Sequence, residues 1–106
     1  PGNSSLMLNG YFNLLGASTR LLTYQRQYDI DANNRFTVEY STDGGFNWTT
    51  LSTLNGAATR TGTSGWETQS RTLPNSANVM IRFRLDTRSA TTTDDGVWIA
   101  DIRVTP

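Results

Sequence analysis

The stretch Ser41-Thr42-Asp43-Gly44-Gly45-Phe46-Asn47-Trp48 separates two strand-like runs, and its reading decides the fold. On its left, Arg35-Phe36-Thr37-Val38-Glu39-Tyr40 alternates polar and apolar side chains, the period of a half-buried strand. On its right, Trp48 to Leu54 is a second run rich in Thr and Leu. Between them, Asp43-Gly44-Gly45 supplies glycines that take positive φ without steric cost. The Asp side chain can also bond backbone amides two residues on. The spacing predicts a β-hairpin in which Ser41, Asp43, Gly45 and Trp48 are structural.

Upstream, the first long strand is predicted from Arg20 to Ile30, with Leu22, Tyr24, Arg26, Tyr28 and Ile30 on one face. Ser5 to Leu8 is a short opening strand, broken by Asn9-Gly10. Downstream, Asn55 to Gly65 reads as a loop, and Trp66 to Leu73 as a strand stopped by Pro74. Val79 to Leu85 alternates most cleanly, with Val79, Ile81, Phe83 and Leu85 inward and Arg82 and Arg84 outward. Val97 to Val104 closes the chain. No apolar stripe of helical period persists for three turns, so no substantial helix is expected. Strands separated by turn residues in this rhythm predict an all-β sandwich of two antiparallel sheets.

Composition narrows the function classes. A chain of 106 residues supports one domain, residues 1–106. Seventeen Thr favour strands over helices. Nine Arg balance nine acidic residues, a charge pattern not built for nucleic acid. No apolar run approaches the roughly 20 residues of a membrane-spanning helix, so membrane insertion is not expected. With no His, Cys or Lys, Ser and Thr lack an ordinary activating base, and zinc of the usual peptidase kind lacks its ligands. The chain is therefore expected not to be an enzyme by itself. No cofactor is required.

The spacing Ser41-x-Asp43-x-Gly45-x-Asn47-Trp48 resembles the Asp-box hairpin of sialidases and other secreted β-proteins, with Asn47 where Thr is usual. It occurs once, which argues against a propeller. A longer ordered series carries a second resemblance. Leu22-Thr23-Tyr24, Tyr28-Asp29-Ile30-Asp31, Val38 to Gly45 with Trp48, Gly62 to Trp66, Ile81-Arg82-Phe83-Arg84 and Asp94 to Val104 follow one another. Together they are similar to the MAM-like jelly-roll domain of secreted bacterial peptidases, such as the immune inhibitor A metallopeptidases. The resemblance implies a jelly-roll accessory module, excised from a larger secreted or cell-surface bacterial protein whose separate peptidase domain carries catalysis. Its partners would be neighbouring domains of the same polypeptide, or a protein or glycan surface. The family usually has one more N-terminal segment, which this chain lacks.

Three sets of side chains are candidates for binding. Asp31, Asp94, Asp95 and Asp101 offer hard oxygen ligands that would suit Ca²⁺. The resembled family has two adjacent acidic residues in its closing strand, and here Ala100 replaces the first of them. Loop capping and ion pairing are the plainer roles for the same carboxylates. Arg26, on an otherwise apolar face, needs an acidic partner, and Asp101 is the candidate if Val97 and Ile99 point inward with it. In the competing register Trp98, Ala100, Ile102 and Val104 point inward, and a bulge near Asp101 would serve both. Trp66, with Tyr11, is the candidate platform for a sugar, the basis of an alternative reading as a carbohydrate-binding module. Trp48 and Trp98 are read as structural. A spacer or adhesion domain without a ligand is the third reading.

Overall fold

Alternation and turn chemistry decide where the chain pairs. The structure, a computed structural model, describes residues 2–30, 34–56, 58–60, 65–87 and 96–106. Every regular element among them is a strand. These are β1 (Gly2–Met7), β2 (Leu21–Ile30), β3 (Arg35–Ser41), β4 (Thr49–Asn55), β5 (Ala58–Arg60), β6 (Glu67–Thr72), β7 (Met80–Thr87) and β8 (Gly96–Thr105). Seven lie where the sequence places strands. The eighth, β5, falls inside the segment read as a loop.

All pairing among the described residues is antiparallel. One sheet has the order β1-β7-β3-β4. The second is built around β2, which pairs with β8 along one edge from Leu21 to Asp29. Along its other edge, β6 covers Leu21 to Arg26 and β5 covers Tyr28 to Ile30. β5 and β6 are thus two pieces of one edge, and this sheet is three strands wide. β3–β4 is the hairpin predicted from Ser41–Trp48. The chain crosses between sheets from β1 to β2, β2 to β3, β4 to β5, β6 to β7 and β7 to β8. That interleaving makes the fold the jelly-roll β-sandwich expected.

Leu22, Tyr24 and Ile30 from one sheet meet Phe36, Val38, Ile81 and Phe83 from the other, with Leu14, Leu73 and Val79 closing one end. Across the sheets, the Tyr24 and Phe83 rings pack edge to face, centroids 5.2 Å apart and planes at 80°. Phe36 stacks on Phe83 within its own sheet at 6.3 Å. Burying such rings between the inner faces of two sheets adds apolar area and a specific ring–ring contact to the core.

Two bulges adjust which side chains reach this core. In β4 the register passes from Val38–Ser52 to Glu39–Thr50, so Leu51 is the extra residue. In β8 it passes from Thr23–Arg103 to Gln25–Ala100, so Asp101 and Ile102 together oppose Tyr24. Asp101 takes a φ of 52°, a left-handed conformation that Asp tolerates better than most residues. Before the bulge Val97 and Ile99 pack on the core, and after it Ile102 and Val104 do. Both candidate registers of the closing strand are therefore realised, one on each side of Asp101.

Candidate functional sites

The hairpin closes through its own side chains. The Ser41 hydroxyl donates to Asp43 Oδ1 at 2.7 Å and accepts from the backbone N–H of Gly45 at 2.9 Å. Asp43 Oδ1 also accepts from the Asn47 N–H at 2.9 Å, and Oδ2 from the Asn47 side-chain amide at 2.7 Å. Asn47, where the hairpin departs from the resembled pattern, thus holds the carboxylate twice. Gly45 takes a φ of 92°, a conformation glycine favours, and its carbonyl accepts from the Trp48 indole N–H at 3.0 Å. The indole lies against Arg82, whose guanidinium carbon is 4.0 Å from the ring centroid and whose Nε binds Glu39.

The Asn47 amides and the Ser41 hydroxyl hold the Asp43 carboxyl at about 2, down from 3.8. A depressed pKa stabilises the fold above the unfolded value and loses that contribution as pH falls through the folded one. Backbone amides of Gly45 and Asn47 should therefore titrate together with a midpoint near 2, and their exchange should quicken over the same interval. Asp43→Asn should abolish that transition in NMR spectra. A midpoint near 3.8 would mean that the carboxylate is not held by the turn.

Arg26 is buried, as its position on the inward face of β2 requires, but its partner is not Asp101. Asp101 is exposed at the bulge. Cross-strand register instead brings Glu67 opposite Arg26, and Arg26 Nε donates to Glu67 Oε1 at 2.9 Å. The guanidinium also lies 5.2 Å from the Tyr28 ring centroid. Its Nη1 is buried without a hydrogen-bond partner, as is the Tyr24 hydroxyl. Ser52 lies beside that hydroxyl without closing a bond, and burial pushes the Tyr24 pKa up. Arg71 bridges the sheets nearby, its Nε donating to the Leu51 carbonyl and an Nη to the Ser52 hydroxyl, each at 3.3 Å. One side of the sandwich is thus a polar seam between β6 and β4.

The calcium candidates divide. Asp31, Asp94 and Asp95 lie outside the described residues, and Asp101 is exposed at its bulge. No group of three or more potential metal-ligating side chains is gathered among the described residues. Tyr11 and Trp66 are both exposed, but they do not share a platform. Tyr11 belongs to the connection whose next residue, Phe12, bridges Val79, at the end of the sandwich where β6 finishes. Trp66 precedes the first residue of β6, which pairs with Arg26 further along β2. The strand separates them. Trp98 is not buried as its reading as structural suggested: half of it is exposed, on the outer face of the second sheet.

Along the side of the sandwich opposite the polar seam, the core opens. A groove of about 310 Å³ runs between β1 and β8, lined by Leu6, Phe36, Phe83, Leu85, Val97 and Ile99 together with Ser4 and Ser5. Its cause is the unequal width of the sheets. Leu6 pairs with Phe83 and shares its inward face, yet is 52 % exposed because none of the described strands of the narrower sheet covers it. β1 and β8 each pair along one edge among the described residues, which leaves the other edge of both strands facing the groove's rim.

No family model matches this chain, and no curated protein or solved structure is significantly similar to it.

Proposed function

We propose that this chain is a non-catalytic accessory module of a secreted or cell-surface bacterial multidomain protein, a peptidase by the likeness of its ordered motifs, and that it packs against a neighbouring domain. The observation that carries this reading is the groove between β1 and β8. It exposes core-type side chains in a continuous apolar cleft, bordered by strand edges that pair with no further strand among the described residues. Apolar surface of this kind is stabilised by a covering partner, and a free edge accepts an added strand. The absence of His, Cys and Lys from the sequence agrees with a role in holding rather than in chemistry.

The test compares the module alone with a longer polypeptide carrying its adjoining domain. Amides along the outer edge of β8 should exchange more slowly in the longer protein. Leu6→Asp should lower the melting temperature of the longer protein and leave the isolated module nearly unchanged, because Leu6 is already half in water. Equal losses in both would make Leu6 part of the core and remove the groove as an interface.

A further inference from the structure

The outer face of the second sheet carries an indole laid flat on its strand. Trp98 stands opposite Gln27, and Gly96, two residues back on the same face, stands opposite Asp29. A Cβ placed on Gly96 would meet Trp98 Cη2 at 3.0 Å, Cζ2 at 3.2 Å and Cζ3 at 3.5 Å. Such similar distances to three neighbouring ring atoms put that position over the ring face, not off its edge. One face of the indole therefore rests on the bare glycine backbone. With Trp98 50 % exposed, the other face is turned to solvent. Gln27, Asp29 and, opposite Ala100, Gln25 share the outward side of β2 next to it.

We propose that this plate binds a neutral pyranose ring of a glycan. A pyranose whose hydroxyls are equatorial presents axial C–H bonds on its faces and hydroxyls around its rim. The C–H face suits the negative π-face of the indole. The rim suits Gln25 and Gln27, whose amides both donate and accept, and the Asp29 carboxylate, which accepts only. Asp29 already has a partner within the protein, so its carboxylate tilts the plate towards neutral over anionic sugars without deciding the ligand's charge. One aromatic ring with the Gln27 amide across from it suits a ligand that is apolar on its face and hydroxylated at its edge. The site lies on the opposite side of β8 from Val97 and Ile99, so it is separate from the groove. It also relocates sugar recognition from Trp66 to Trp98.

Cellotriose, a β-1,4-linked glucose trimer with equatorial hydroxyls, is the first probe, followed by an array of neutral and anionic glycans. Titration should move the Trp98 indole N–H signal and leave those of Trp48 and Trp66 in place. Trp98→Ala should abolish binding of every neutral glycan that scores. Gly96→Val, which keeps the indole but unseats it, should weaken binding by about tenfold or more. Gln27→Ala should weaken it less and leave the melting temperature unchanged, which separates loss of contact from loss of fold. If no neutral glycan binds, if only anionic glycans bind, or if binding survives Trp98→Ala, the proposal is overturned. None of these outcomes bears on packing through the groove.

Discussion

Glu67→Ala should lower the free energy of unfolding by about 3 kcal/mol, the lower part of the range for breaking a buried ion pair. The Arg26 side chain is only 10 % exposed and Glu67 is 30 % exposed, so the pair is shielded mainly on the cation's side. Removing the carboxylate leaves a guanidinium whose Nη1 already has no partner. Equilibrium urea unfolding measures the loss. The double variant Arg26→Met/Glu67→Met should recover most of it, because apolar side chains of similar reach need no desolvation of charge. A loss under about 1 kcal/mol for Glu67→Ala would mean that the Tyr28 ring and solvent are enough to hold Arg26.

The second large effect belongs to the aromatic contact that joins the sheets. Phe83 touches Tyr24 across the sandwich and Phe36 beside it, and all three are almost fully buried. Phe83→Ala should cost about 3–5 kcal/mol through lost burial and an unfilled cavity. For a domain with a total of about 5–15 kcal/mol, that leaves the module close to its unfolding threshold at room temperature. Tyr24→Phe should behave in the opposite sense. It deletes a buried hydroxyl that has no partner while keeping the ring, so stability should hold or rise. Destabilisation by more than about 1 kcal/mol would show that the hydroxyl is bonded to Ser52 in solution.

The elements that alternate most strictly were the ones legible in the sequence. β2 and β7 each carry an unbroken inward series, and the turn residues between β3 and β4 leave the hairpin little choice. β5 escaped because three residues, Ala58 to Arg60, cannot express a period within a glycine-rich stretch. The partner of Arg26 escaped for a different reason. Glu67 has the right parity on β6, but parity says which face a residue takes and not which strands are neighbours. Adjacency comes from the crossover connections, which leave no local mark. Trp98 departs from its expected burial because Val97 and Ile99 on either side of it take the inward face, and the glycine two residues before it gives the ring a seat outside.

The bulge at Asp101 has a further consequence, for the length of the chain. The two halves of β8 carry their apolar side chains in opposite phase, and the extra residue between them shifts the pleat like a change of reading frame. Deleting Asp101 would straighten the strand and keep Ile102 and Val104 facing the core, because Ile102 would then follow Ala100 and oppose Tyr24 alone. A related sequence one residue shorter at this point should therefore read as one unbroken alternation to the end of the strand, with the same residues inward. A residue can be lost here without altering which side chains face the core.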